Sequence, residues 1–307
     1  MIKKYLDKPF WLAPMAGFSD AAFRHLCLSA GSGLVVTEMV STKGLVYESE
    51  NTFDLLYSFD DYSRTAVQLF GSEPEFFAEA VQREEIAPFS VIDINMGCPV
   101  PKVIKTGAGS ALLNDINLAS KIISATVKNT KKPVMVKFRL GWDSQNIVAV
   151  DFAKMCEDSG ASAITVHGRT RQQLYTGKAD WDKIYEVAQA VKIPVIGNGD
   201  IRTSEEAKER LFNGAVSGVA IGRGALGNPW IFAECTDTEF CENAYQVIKK
   251  NYELMLEYMP ESKVVPLMRG QLNYYLKRLN SGASVRNQVN RENDLQNLLN
   301  ILKNCIN

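Results

Sequence analysis

Val91-Ile92-Asp93-Ile94-Asn95-Met96-Gly97-Cys98-Pro99 decides how this chain is read. A short apolar run rich in β-branched residues is the signature of a buried strand. It breaks at Gly97 and Pro99, residues that mark a turn, so Cys98 sits on a loop at the mouth of a strand. A lone cysteine in such a place is by default an inert small hydrophobe. Seven further strand-like runs also end in polar or Gly-rich residues, and that company changes the reading.

In chain order the expected strands are Phe10 to Met15, Leu34 to Met39, Thr65 to Phe70, the run into Cys98, Pro133 to Leu140, Ala163 to His167, Pro194 to Gly197 and Ser217 to Ile221. Helical sequence is expected between them: Asp20 capping a run to Ala30, 44 to 57, 74 to 86, Asp115 to Thr130, 146 to 159, Trp181 to Val191 and Ser204 to Phe212, with a short helix near Pro229. Eight strands alternating with helices over about 230 residues indicate a parallel α/β fold, and the count suits a (β/α)8 TIM barrel, with a doubly wound sheet as the alternative. After Thr236 strand signals stop. Tyr245, Ile248, Tyr252 and Met255 recur at helical spacing, a packing face. The expected division is a catalytic barrel over 1–238 and a small all-helical domain over 239–307.

The 307 residues, 46% hydrophobic and 22% charged, are ordinary for a globular protein with a large core. Six cysteines form no C-x-x-C pair and no metal-like cluster, which points to reduced thiols and a cytoplasmic location, with no metal expected. Neither a signal peptide nor a run approaching the ~18 apolar residues of a membrane span is visible. Net charge is −1, unevenly spread: residues 241–307 carry nine Lys/Arg against six Asp/Glu. Such a basic region permits a polyanionic partner without requiring one.

Barrel enzymes place their chemistry at the C-terminal ends of the strands. Here those ends carry Pro14-Met15-Ala16, Glu38, Gln68, Asn95 with Cys98, Lys137 with Arg139, His167 with Arg169, Asn198-Gly199-Asp200, and Gly222-Arg223. The last two strands end in turns that expose backbone N–H groups ahead of a helix, a common place for a phosphate, and Arg223 adds a fixed charge. Gly222-Arg223-Gly224-Ala225-Leu226-Gly227 also matches G-x-G-x-x-G, but no βαβ unit follows, so a dinucleotide fold is rejected. A phosphate anchor, a lysine at the fifth rim position and amides from Gln68, Asn95 and Asn198 suit flavin mononucleotide (FMN): amides can read the imide edge and a lysine steadies a reduced flavin. A thiol with an ordinary pKa of about 8.5 is mostly protonated at neutral pH, so Cys98 can donate a proton opposite a hydride. His167 either bonds flavin or substrate or orients Arg169. Lys102, Lys105, Arg169 and Arg171 form a set of loop cations able to meet RNA phosphates, or simply a solvated surface.

These residues resemble the tRNA-dihydrouridine synthases. The likeness runs through Ala13-Pro14-Met15-Ala16-Gly17, Val67-Gln68-Leu69-Phe70-Gly71, Asn95-Met96-Gly97-Cys98-Pro99 with Lys102-Val103, Gly107 to Leu113, Val136-Lys137, His167-Gly168-Arg169-Thr170, Gly197 to Ile201, and Gly222 to Ala225 with Asn228-Pro229-Trp230. The resemblance implies an FMN-binding barrel followed by a helical domain that grips tRNA. It implies Cys98 as proton donor to uracil C5 while a hydride reaches C6, and NADPH as reductant. Pro14, Met15, Ala16, Gln68, Lys137, His167, Asn198, Gly199, Asp200, Gly222 and Arg223 would hold FMN. Asn95, Lys102 and Arg169 would meet the substrate tRNA, the enzyme acting as a monomer. Arg269, Tyr275, Leu276 and Arg286 resemble a looser signature of the helical domain, but Gly270-Gln271-Leu272 departs from the histidine many relatives place soon after that arginine. Two rivals are an FMN barrel acting on a free pyrimidine, which would not need residues 241–307, and a flavin-free RNA-binding folding helper, which would not need Cys98, Lys137 and Arg223.

Overall fold

The computed structural model describes residues 2–59, 61–212, 215–279 and 282–306. Eight parallel strands close into a barrel in sequence order: β1 (Phe10–Leu12), β2 (Val35–Ser41), β3 (Thr65–Phe70), β4 (Val91–Met96), β5 (Val134–Arg139), β6 (Ala163–His167), β7 (Val195–Asn198) and β8 (Gly218–Ile221). Around them run α1 (Ala21–Ser29), α2 (Pro74–Ala80), α3 (Ile116–Lys128), α4 (Ala149–Asp158), α5 (Trp181–Ala190), α6 (Ser204–Phe212) and α7 (Trp230–Thr236). The closed barrel replaces the doubly wound alternative.

Side chains alternate along a strand, and the two parities divide the core. Leu12, Val35, Val67, Ile92, Ile94, Val136, Ile164, Val195 and Val219 pack outward with the helices. Trp11, Ala13, Val36, Ala66, Val91, Met135, Ala163, Ile196 and Ala220 fill the barrel interior, together with Ile2 and Tyr5 of an N-terminal turn. Trp11 donates its indole N–H to the carbonyls of Tyr5 and Lys8, closing the floor. Continuing the interior parity upward gives Glu38, Gln68, Asp93 and Asn95, Lys137 and Arg139, Thr165 and His167, Asn198, and Gly222. The floor is apolar and the mouth polar, so the polar side chains of the barrel interior gather at the top.

Three helical stretches differ from expectation. The helix opening at Pro74 ends at Ala80, and Glu84–Ile86 forms a separate 3-10 turn. Residues 44 to 57 are not one helix. Glu48 takes a left-handed φ of 55° and the chain forms two short pieces, Thr42–Val46 and Glu50–Phe53. The helix expected from 146 begins only at Ala149, because Asn146 is held in a turn by the Asp143 carboxylate.

Beyond the barrel lie α8 (Ala244–Leu256), α9 (Glu261–Arg278), α10 (Ala283–Arg291) and α11 (Leu295–Ile306). The stripe on α8 is a packing face: Ile248, Tyr252 and Met255 are buried in a cluster that reaches Ala22 and Leu26 of α1, with Tyr245 against it. A polar latch reinforces this contact. Asp20 caps α1 by accepting the Phe23 N–H, and its other oxygen accepts from Gln271 of α9 at 2.6 Å. Asn251 of α8 donates in turn to Gln271 at 2.7 Å. The departure at Gly270-Gln271-Leu272 thus supplies a neutral donor that ties α9 to the carboxylate capping α1. Among the described residues no helix is long and apolar enough to cross a membrane.

Asp20→Ala removes a helix cap, worth about 1 kcal/mol, and strands the buried amide of Gln271 at a further cost of about 1–3 kcal/mol. Urea denaturation of the variant should show stability lower by roughly 2–4 kcal/mol.

Candidate active site

The polar mouth is built from strand ends, and its ionisable groups hold one another in place. Lys137 lies opposite Asn95 across the β4–β5 ladder. Its ammonium donates to Asn198 Oδ1 at 3.2 Å, and the Asn198 amide is itself held by the Ala220 carbonyl at 2.8 Å. Burial lowers the Lys137 pKa to about 8, with the Arg139 charge assisting and Asp93 and Cys98 opposing. Burial, then Lys137 and three arginines, push His167 well below the usual histidine range, so its ring is neutral at pH 7.

Cys98 is nearly buried, and its backbone is tied on three sides. Its N–H donates to Asn95 Oδ1 at 2.9 Å, and its carbonyl accepts from both the N–H and hydroxyl of Ser110. Gly109, at φ +62°, lets the returning loop approach: a Cβ there would lie 2.8 Å from the Cys98 carbonyl oxygen. Burial raises the thiol pKa against the pull of the Val100 N–H, Arg139 and Lys137. The group is therefore a thiol, a proton donor, at neutral pH.

Arg139, which the sequence places at the rim without a role, is the bracket of the mouth. It donates to the Gly97 carbonyl beside Cys98 at 2.9 Å, and to the carbonyls of Thr170 and Leu174 at 3.0 and 2.8 Å. The loop after β6 is thereby tied to the cysteine loop. Its exposed Tyr175 ring sits 5.7 Å from the Arg139 guanidinium and 4.9 Å from that of Arg223.

Arg169 departs from the expected role. It is 1% exposed, so it is not a surface cation for RNA phosphates. Its guanidinium grips both oxygens of Asp200 at 2.7 and 2.8 Å and the carbonyls of Thr176 and Gly177. Asp200 adopts a left-handed φ of 51° and also accepts from Ala179 N–H and, at 3.3 Å, from Arg223. Burial works to raise the Asp200 pKa, but the Ala179 N–H and Arg169 outweigh it and the net shift is downward. Asp200 is thus a neutralised anchor that steers Arg223, whose side chain remains 49% exposed.

Gln68 is fully buried with its amide bonded at both ends, to Asp93 and to Asn95. Asp93 itself was hidden in the apolar run; only its shared parity with Asn95 could have revealed it. Burial lifts its carboxyl to about 6, with the Gln68 N–H and Lys137 resisting. Pro14 and Met15 are half-buried, Ala16 is exposed, and the Met15 and Gly17 amides are held by Ser19 and Glu38. Gly222 follows β8 and Gly199 follows β7, the latter at φ +139°. Lys102 stands exposed on the turn Pro101–Ile104 that follows Cys98.

The mouth combines a buried thiol, a deep-set lysine, a neutral histidine and an exposed arginine. A family model described as dihydrouridine synthase matches residues 11–307. The chain belongs to the dihydrouridine synthase family. A Rickettsia bellii protein named "Probable tRNA-dihydrouridine synthase" is 42% identical, the match covering 92% of this chain and 90% of that one. The tRNA-dihydrouridine synthase B of Pseudomonas aeruginosa is 39% identical over 92% and 88%. Among solved structures, a variant of NCR from Zymomonas mobilis superposes with a TM-score of 0.53 at 18% identity, covering 76% of this chain and 88% of that one. Histamine dehydrogenase from Rhizobium sp. 4-9 gives 0.55 at 12%, covering 80% of this chain and 49% of that one. At these identities the two structures speak for the barrel fold alone.

A raised pKa and near-burial both slow thiolate chemistry. In the dihydrouridine synthase chain, iodoacetamide should modify exposed Cys241 and Cys305 before Cys98 at pH 7.5, read by peptide mass spectrometry. The Cys98 rate should keep climbing beyond pH 9.

Proposed function

We propose that the protein is a tRNA-dihydrouridine synthase that reduces the C5=C6 double bond of a tRNA uridine, with FMN as cofactor and NADPH as the reductant. The observation that carries this reading is the Cys98 thiol, kept protonated by burial and fixed at a barrel mouth rich in donors. Family membership sets the substrate class.

The donor set fits FMN. Arg223 is a half-exposed cation beside the turns after β7 and β8, suited to a phosphate, and the Asp200 carboxylate next to it is already satisfied by Arg169. Lys137 is a partly open cation below the rim whose hydrogen bond among the described residues is the one to Asn198. It suits the electron-rich edge of a reduced ring. Pro14, Met15, Ala16, His167, Asn198, Gly199, Asp200 and Gly222 would line the cofactor together with Lys137 and Arg223, and Gln68, fully buried with both ends of its amide bonded, would act through Asn95. When bound, FMN supplies the hydride that reaches uracil C6.

The chain's own residues do the rest. Asn95 orients the uracil, and Cys98 delivers its proton to C5 as the double bond is lost, the thiolate then regaining a proton from water. A base within folded tRNA must be turned out to reach this mouth. Lys102 would meet RNA phosphates, and the domain over 239–307 would grip the tRNA. Arg169 acts through Asp200 and the loop it holds. The free cysteines support a cytoplasmic setting.

Incubating the protein with FMN, NADPH and tRNA lacking dihydrouridine should add two hydrogens to uridine, detected by nucleoside mass spectrometry. A yellow protein that oxidises NADPH without this gain would move the substrate to a free pyrimidine. Cys98→Ala should retain flavin and its reduction while tRNA turnover drops about 10²–10⁴-fold, the range for losing a positioned acid.

The lowered Lys137 pKa has a signed consequence. Its charge is present below about pH 8 and is lost as pH rises through that value. FMN affinity of the flavin-free protein should therefore weaken by up to roughly tenfold from pH 7 to 9, since only about a tenth of the lysine stays charged one unit above its pKa. Lys137→Met should bind more weakly and show no such fall, measured by flavin fluorescence.

A further inference from the structure

A hydrogen-bond chain crosses the tops of β3 and β4, and its first member has no part in the reaction as described. Asp93 Oδ2 accepts from Gln68 Nε2 at 2.6 Å. Gln68 Oε1 accepts from Asn95 Nδ2 at 2.9 Å. Asn95 Oδ1 accepts from the backbone N–H groups of Cys98 at 2.9 Å and Gly97 at 3.2 Å. All three side chains are buried.

The chain can run only one way. A backbone N–H can only donate, and an ionised carboxylate can only accept. The two primary amides between them each have one oxygen and one NH2 group. Reversing either would set N–H against N–H in a buried place, where an unmatched donor is costly. Both ends therefore dictate the same direction, and the backbone end leaves no doubt about which atom of Asn95 is the oxygen.

The direction has chemical content. The Asn95 oxygen is occupied by two N–H donors, while its NH2 group has used one of two hydrogens. What Asn95 retains for a ligand is a donor. We propose that Asp93 is a positioning residue: by accepting from Gln68 it holds the Gln68 oxygen on the Asn95 amide, and so steadies a chain in which Asn95 offers an N–H, and no oxygen, beside Cys98. The group taken there from a uracil is then a ring carbonyl oxygen and not its imide N–H. The inference rests on the reading of this mouth as a uracil site. Its other half, that Asp93 through Gln68 and Asn95 steadies the Cys98 loop, concerns the protein alone.

The test compares Asp93→Asn with Asp93→Leu in two readouts. Asparagine still presents an oxygen to Gln68 and leucine does not. In the flavin-free protein, hydrogen exchange at the Gly97 and Cys98 amides should stay within about twofold of the parent in Asp93→Asn. It should accelerate about tenfold or more in Asp93→Leu, the scale of one buried donor left unmatched. In the loaded enzyme, kcat/KM for tRNA should fall about tenfold or more in Asp93→Leu, with flavin reduction by NADPH retained. Asp93→Asn should keep at least about a third of the parent value. Equal damage in both variants would overturn the proposal in favour of a role for the Asp93 charge. Unchanged exchange in Asp93→Leu would also overturn it. Should that variant not fold, Asp93→Val carries the same expectations. A parent protein that forms no dihydrouridine would sink the proposed function, while the exchange pattern would still decide the role of Asp93.

Discussion

Asp93, Lys137, Arg139, His167 and Arg169 all lie at the top of the barrel largely out of water, and the cost of keeping them there governs the site. A buried charge is tolerated only when paired and hydrogen-bonded. Arg139 and Arg169 meet that demand with backbone carbonyls and, for Arg169, the Asp200 carboxylate. His167 meets it by giving up its charge. Lys137 and Asp93 meet it only in part, and both are shifted toward their neutral forms by burial. Both stand beside Asn95, Lys137 opposite it across the β4–β5 ladder and Asp93 two residues before it on β4.

The same demand shapes the backbone. A register shift in β2 between Val36 and Met39 lets the Thr37 hydroxyl accept the Gln68 N–H that the regular ladder would have satisfied. Bulges at barrel rims commonly re-aim side chains in this way. Here Glu38 is left to accept the Gly17 N–H at 2.6 Å. The loop after β1 is thus held from β2 on one side, while Phe18 meets Tyr274 of α9 edge-on at 5.5 Å on the other. The helical region therefore touches the mouth through the same loop that carries Met15 and Ala16.

Much of this was legible in the sequence, because alternation and turn residues are local. Strands three and six end where their residues predict, and Asp20, Asp115 and Asp180 cap helices as residues of that type do. The helical stripe from Tyr245 to Met255 is legible for the same reason. What stayed hidden was non-local. Asp93 looks like an interruption of an apolar run until Gln68 is placed beside it by strand pairing. Arg169 looks like a loop cation until Asp200, far along the chain, turns it inward. The late start at Ala149 depends on the Asp143 side chain bonding to nearby backbone, which competes with helix on terms that periodicity does not show.

The loop from Thr170 to Gly177 is held both by its own Thr170 and Gln173 side chains and from outside itself. Arg139 and Arg169 hold it by four main-chain carbonyls, at Thr170, Leu174, Thr176 and Gly177. A carbonyl is common to every residue, so these four outside holds do not depend on which side chains the loop displays, whereas the bonds of Thr170 and Gln173 do. The loop is in effect an exchangeable cassette on a fixed frame. Changes at its exposed positions, Leu174 and Tyr175, can alter what the mouth admits while the frame and the Cys98 loop bracketed to it keep their form.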